Sequence, residues 1–294
     1  MPKIGAIKVK ALSADDVEKW LDGLAGRLST RSLQGVHSIL RRSIRQAQVR
    51  DKVVRNVAEL VATPKGRPGR PSKALTLEQA TAVLEQARSS PLHAYVVVTI
   101  MTGMRTEEAR ALRWDHVVAW TDDAGWRPVA DAGFEHERFA VYVWRSVRAD
   151  GDTKTEKSRR TMEVPEEAAK ALRALHKRQA AQRLKAGERW QDTNLVFSTR
   201  TGGALAAGNV RKAFRAITRN AGLGDDWVPR ETRHTFVSIL SDNDVPIETI
   251  ADLVGHRGTS VTERVYRHQL KPVIKTGAQT MNTIFSHGKD ARTA

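Results

Sequence analysis

The chain has no cysteine among its 294 residues. That excludes a disulfide framework and any thiolate metal site. Its histidines offer no substitute, because His234, His256 and His268 follow no recognised metal-ligand spacing. No apolar run approaches the roughly 20 residues a membrane-spanning helix needs. The opening MPKIGAIKVK lacks the apolar stretch of a secretory signal. No phosphate-binding glycine loop and no internal repeat are visible, so nucleotide use has no support. These absences lead us to expect a cytoplasmic protein without metal or other cofactor.

Acidic residues are also scarce. Asp and Glu number 33 against 49 Lys and Arg, a formal net charge of +16. Such an excess favours a polyanionic partner, nucleic acid first and an anionic membrane second. Much of it sits early: residues 1–75 hold 16 basic and 6 acidic side chains, a difference of +10. Charge alone does not separate DNA from RNA. The 40% hydrophobic content is enough for a real core, in one large or two modest domains.

Periodicity predicts mostly helices. Ser13 caps a helix over about 12–24, with Val17, Trp20 and Leu21 on its apolar face. Ser29 or Thr30 caps a second through about Arg50, where Leu33, Val36, Leu40 and Ile44 oppose a basic face of Arg41, Arg42 and Arg45. A short helix is expected over 54–61. The run TPKGRPGRPSKA reads as a linker, its prolines and glycines opposing regular structure. Lys65, Arg67 and Arg70 could follow a phosphate backbone there, letting two domains clamp a duplex. Thr76 caps the next helix, and Thr106 to Leu112 begins another. Residues 115–165 form the expected sheet region, with alternation over 140–145 and a returning strand over 161–164. Helices are expected over 165–185, 209–219, 231–239, 246–254 and 261–269, a short strand over 195–198 and a tail helix over 273–285. Arg211, Lys212 and Arg215 make the 209–219 helix basic on one side. Mostly helices with one small sheet is an α+β pattern.

Five stretches carrying basic or hydroxyl-bearing side chains then stand out by their order. TGMRTEEARAL carries Arg105 and Glu108; Lys154 precedes Ser158 and Arg160; PRETRHTF carries Arg230, Arg233 and His234; LVGHRG carries His256; Tyr266 follows ten residues later. Arginine forks match phosphate oxygens, and a tyrosine hydroxyl is a potential nucleophile. One at a time, these are the side chains of any solvated basic face.

Taken in order, the set resembles the tyrosine recombinases, the integrases of phages and mobile elements. Thr102, Gly103, Arg105 and Glu108 match that family's TGxRxxE motif, Lys154 its lysine, Arg233 the arginine of HxxR, Gly255 and His256 its GH pair, and Tyr266 its late tyrosine. The detailed wording is similar to integrases of actinobacterial phages and integrative elements, well over about 76–285 and partly over 1–62. The resemblance implies a mainly helical catalytic domain with a small antiparallel sheet over 76–285. It is preceded by a compact or partial core-binding helical domain over 1–62 and a basic linker over 63–75, and followed by a flexible tail over 286–294. It makes the β-branched run of residues 92–102 a buried helix. A front arm-binding domain, present in similar integrases, has no counterpart, so a compact member and a truncated front both remain open.

The resemblance also implies site-specific DNA recombination, as integration or excision. Tyr266 attacks a DNA phosphodiester and forms a 3′-phosphotyrosyl bond, with Arg105 and Arg233 on the non-bridging oxygens, His256 donating to one of them and Lys154 protonating the leaving 5′ oxygen. Glu108 and His234 support these groups. Arg230 stands where the family usually has histidine; arginine is a poor proton acceptor, which leaves the general base open. The implied partners are double-stranded DNA attachment sites, further copies of the chain in a homotetramer on DNA, and an excision-directing or DNA-bending accessory protein; the implied location is the nucleoid. Two other readings stay open: a type IB topoisomerase-like nicking and closing protein, and an inactive or truncated remnant that only binds DNA.

Overall fold

The computed structural model describes residues 3–69, 73–147 and 159–255. The chain forms two compact units, Met1–Pro71 and Ser72–Ala294. No described helix is long and apolar enough to cross a membrane.

The first unit is built on two helices, α1 (Ala14–Ala25) and α2 (Thr30–Val49). Ser13 starts α1 because its hydroxyl accepts the Asp16 N–H at 3.1 Å while the Asp16 carboxylate accepts the Ser13 N–H at 3.0 Å. This reciprocal pairing satisfies donors that a helix start leaves open. The Ser29 hydroxyl caps α2 by accepting the Ser32 N–H at 3.2 Å. Val17 and Leu21 of α1 pack with Leu12, Ile44, Val57 and Ala58 in a small core. Burial of each such large side chain contributes roughly 1.5–3 kcal/mol. Val57–Leu60 is a single 3-10 turn rather than the longer helix expected over 54–61. His37, buried on α2, ties that turn down: its ring bonds the Ala58 carbonyl at 2.7 Å and the Thr63 hydroxyl at 2.8 Å.

The expected tether begins as an anchored segment. Arg67 N–H donates to the Leu28 carbonyl at 2.8 Å, and Gly66 N–H to the Thr30 hydroxyl at 3.0 Å. A Cβ on Gly66 would lie 2.3 Å from the Leu28 carbonyl oxygen, so the chain reaches this close only as glycine.

The second unit is assembled around α4 (His93–Thr102). Its residues from Ala94 to Ile100 are all buried. β-branched residues disfavour helix, but enclosure on every side overrides propensity. Thr99 and Thr102 add no unsatisfied groups, since their hydroxyls donate to the carbonyls of Tyr95 at 2.8 Å and Val98 at 2.6 Å. Around α4 pack α3 (Leu77–Ala87), α5 (Thr106–Arg110), α7 (Glu166–Ala186) and α9 (Glu231–Asp242). A four-residue helix α6 (Val129–Ala132), α8 (Ala207–Asn220) and α10 (Ile247–Val254) complete the described helices.

The sheet is antiparallel, in the order β2-β1-β3-β4, from β1 (Val117–Thr121), β2 (Gly125–Pro128), β3 (Phe139–Val143) and β4 (Arg160–Val164). Val141 pairs with Met162 and Val143 with Arg160. The β1–β2 hairpin shows no clear alternation in sequence because Val117, Val118 and Ala119 are buried in succession. The strand expected over 195–198 is replaced by two isolated bridges, Arg113–Leu195 and Ser198–Ala204. A side chain stands in for a neighbouring strand there: the buried Gln179 amide donates to the Val196 carbonyl at 2.7 Å. The helices expected over 261–269 and 273–285 lie outside the described residues.

Candidate active site

The loop after α4 sets the geometry. Helix α4 ends at Gly103, whose φ of 61° is left-handed. A Cβ there would meet the Phe236 ring at 2.4 Å. Glycine is therefore required both for the turn and for the approach of α9. Two residues on, Arg105 is the N-cap of α5, and Glu108 one turn later reaches back to it. The Glu108 carboxylate accepts the Arg105 backbone N–H at 2.9 Å and its Nη1 at 2.7 Å. A carboxylate in the first turn of a helix is favoured by the backbone donors there.

The carboxylate is shared. Arg160, the first residue of β4, donates Nη2 to Glu108 at 2.9 Å and Nε to the Leu253 carbonyl at 2.7 Å. Both side chains are enclosed, Arg160 8% exposed and Glu108 4%. Burial opposes ionisation of Glu108, but the charge and hydrogen bonds of Arg160, then those of Arg105, outweigh it and bring its pKa down to about 2.

Arg233, buried on α9, donates Nη1 to the Gly103 carbonyl at 2.8 Å and Nη2 to the Val254 carbonyl. Arg105 Nη2 lies 3.4 Å from the Gly255 carbonyl. Arginines from three separate elements thus meet three consecutive carbonyls, 253 to 255, at the C-terminal end of α10. That end carries the negative pole of the helix and unpaired carbonyls, so cations settle there. Gly255, with φ of 62°, turns the chain out of the helix immediately before His256. Three guanidiniums gather at this helix end, two of them, those of Arg105 and Arg160, sharing the Glu108 carboxylate while Arg233 donates to backbone carbonyls, an arrangement suited to an incoming anion.

The structure brings together Arg105, Glu108 and Arg233 of the expected set, with Arg105 32% exposed and Arg233 almost covered. Arg230 is exposed at the N-cap of α9. His234 is buried beside it; burial first, then the charges of Arg230 and Arg233, lower its pKa to about 4, so it stays neutral at pH 7. Lys154, His256, Tyr266 and Arg70 lie outside the described residues. Arg41, Arg42 and Arg45 are exposed on α2, Lys65 and Arg67 on the following segment, and Arg211, Lys212 and Arg215 on α8. Among the described residues no cluster of His, Asp and Glu is arranged to hold a metal ion.

Sequence reasoning passed over Arg160 as one more basic residue near Lys154. A signal was present: Arg160 has the same strand phase as buried Met162 and Val164. An arginine on the inward phase of a strand needs a buried anion or carbonyls.

Comparison with known proteins decides the family. The model of the phage integrase family matches residues 73–272. An integrase of Streptomyces ambofaciens is 52% identical over 290 residues, covering 98% of this chain and 73% of the relative. The chain is a tyrosine recombinase of the phage integrase family. The fold agrees: the recombinase superposes on the Tn1549 transposon integrase, solved with a circular intermediate DNA, at a TM-score of 0.64 and 14% identity, over 96% of this chain and 88% of that one. It superposes on a lambda integrase dimer bound to a core site at 0.60 and 15% identity, over 87% and 80%. The recombinase is an enzyme that cleaves and rejoins DNA by site-specific strand exchange through a catalytic tyrosine.

Proposed function

We propose that the recombinase acts at double-stranded attachment sites, in integration or excision of a mobile element, with Tyr266 as nucleophile and a covalent 3′-phosphotyrosyl intermediate. The observation that carries this reading is the convergence of Arg105 and Arg233 on the end of α10, one residue before His256. In-line attack on phosphorus builds charge on the non-bridging oxygens. Preorganised guanidiniums aimed there lower the barrier without reorganising during reaction. Arg105 and Arg233 fill this role, His256 donates to one oxygen, Lys154 protonates the leaving 5′ oxygen, and Arg230 adds an exposed contact to the phosphate.

The other two tyrosines are engaged elsewhere, which supports Tyr266. Tyr95 is buried in the core, where burial raises its hydroxyl pKa. Tyr142 on β3 stacks on Trp144 with ring centroids 4.6 Å apart. Residues 1–62 and the basic side chains of α2 and α8 supply phosphate contacts, so binding weakens with salt. Two duplexes must each be cut and rejoined, so the working state is a homotetramer on DNA, with an accessory protein setting direction. The test is a nicked suicide substrate carrying the element's attachment site. The wild-type chain should form a covalent protein–DNA adduct and Tyr266→Phe should form none. An adduct of equal yield from Tyr266→Phe would overturn the assignment.

A further inference from the structure

We infer that Arg160 is a positioning residue for strand cleavage: it holds Glu108 so that this carboxylate orients Arg105 without neutralising it. The inference rests on the reading that Arg105 contacts the scissile phosphate.

Glu108 fixes Arg105 through two bonds, at 2.9 Å to its backbone and 2.7 Å to its guanidinium. Such orientation has an electrostatic cost. A lone carboxylate against a lone guanidinium is a neutral pair, and a phosphate arriving there meets a cation already compensated. Arg160 changes that balance. Its guanidinium approaches both carboxylate oxygens, at 2.9 Å and 3.4 Å. One carboxylate between two guanidiniums is a cationic group of three, and its exposed member is Arg105, at 32% against 8% for Arg160. Coulomb attraction in this enclosed setting is weakly screened, so the difference between a neutral and a cationic cluster is felt by the phosphate.

Arg160 also ties the cluster to α10. Its Nε bond to the Leu253 carbonyl, at 2.7 Å, fixes Glu108 relative to the helix end that receives Arg105 and Arg233. Being almost covered, Arg160 acts through Glu108 and α10 rather than on DNA.

The test measures single-turnover cleavage by the full chain on a nicked duplex carrying the element's attachment site. Two versions are compared, with a phosphodiester or an uncharged methylphosphonate at the scissile position. Arg160→Met should cleave the phosphodiester about 100-fold more slowly, the usual scale for a lost transition-state donor, while its DNA affinity in a gel-shift assay stays within about threefold, because bulk affinity comes from other phosphate contacts. On the methylphosphonate the deficit should shrink to below about tenfold, since less charge awaits stabilisation. A merely structural role would not respond to substrate charge. Arg160→Lys, which keeps the charge, should recover most of the rate; Arg160→Gln, which keeps a donor only, should not. That pair carries the comparison if Arg160→Met does not fold. Equal deficits on both substrates, or Gln cleaving as fast as Lys, would overturn the inference. Arg105→Met separates the two levels. If it loses cleavage while the Arg160 variants do not, only the inference falls; if it cleaves normally, the reading of Arg105 falls and takes the inference with it.

Discussion

Substituting Glu108 by glutamine removes one charge and almost no volume, so it isolates what the carboxylate does for stability. Folding lowers the Glu108 pKa from 4.5 to about 2. A depressed carboxylate stabilises the fold above its unfolded pKa and loses that contribution as pH falls toward its folded value. At 1.36 kcal/mol per pKa unit, the full contribution is about 3 kcal/mol. It should be intact at pH 7, begin to decline below about pH 5, and have lost about 2 kcal/mol by pH 3. The amide of Glu108→Gln cannot titrate. The variant should therefore be about 3 kcal/mol less stable than wild type at pH 7, and the gap should narrow to about 1 kcal/mol at pH 3. Other carboxylates titrate in both proteins and cancel in the difference. The assay is urea unfolding at pH 7, 5, 4 and 3. Six of the seven tryptophans lie in the second unit, so fluorescence follows the relevant transition. A gap that stays constant from pH 7 to pH 3 would refute the argument, since it would mean that the carboxylate's ionisation is not coupled to folding.

His234 should govern a higher window. Its pKa falls from 6.5 to about 4 on folding, so the unfolded chain takes up a proton that the folded one refuses, and about 3 kcal/mol of stability drains away between pH 6.5 and pH 4. His234→Gln should flatten the wild-type curve in that window and leave the slope below pH 4 unchanged; an unaltered slope above pH 4 would contradict it. Gly103→Ala forces a left-handed φ of 61° and a Cβ 2.4 Å from Phe236, and should cost at least about 2 kcal/mol in the same unfolding assay; a smaller loss would show that α9 moves aside freely. Arg230→His separates charge from base catalysis by sign: if the residue acts through charge, cleavage by the variant should fall as pH rises through about 6.5, whereas a rate that climbs over the same range would mark a general base.

Much of the fold was legible because its signals are local. The capping pairs at Ser13 and Thr76 mark helix starts within a residue of those observed. Arg105 and Arg233 were legible as motif members, and the structure brings them to one helix end. What local pattern did not carry was dictated by tertiary partners. Helix α4 is rich in strand-forming residues and becomes helical because α3, α7, α9 and β4 enclose it. The 195–198 segment reads as a strand, yet the carbonyls of Leu195 and Val196 accept from Gln179, a residue on a helix. Arg160 was hidden for a related reason: its partners are 52 and 93 residues away in sequence. No window on the sequence contains both ends of such a bond.

The choice of acceptors around the arginines has a consequence for catalysis. Arg233 donates to the carbonyls of Gly103 and Val254, while Glu108 is engaged by Arg105 and Arg160. Carbonyls fix a guanidinium in place by dipoles and leave its charge intact, whereas each carboxylate would cancel one. A phosphate-binding pocket needs both rigidity and positive charge, and the end of α10 meets both needs because its last carbonyls have no helical partner. On this reasoning, adding a carboxylate is worse than removing a carbonyl contact. Gly103 and Val254 contribute only backbone, so side-chain changes near them should alter cleavage modestly unless they shift the chain. An acidic side chain introduced one turn before Arg233, as in Arg230→Glu at the exposed N-cap of α9, should lower cleavage of a phosphodiester by more than the isosteric Arg230→Gln does, and the two should converge on a methylphosphonate substrate.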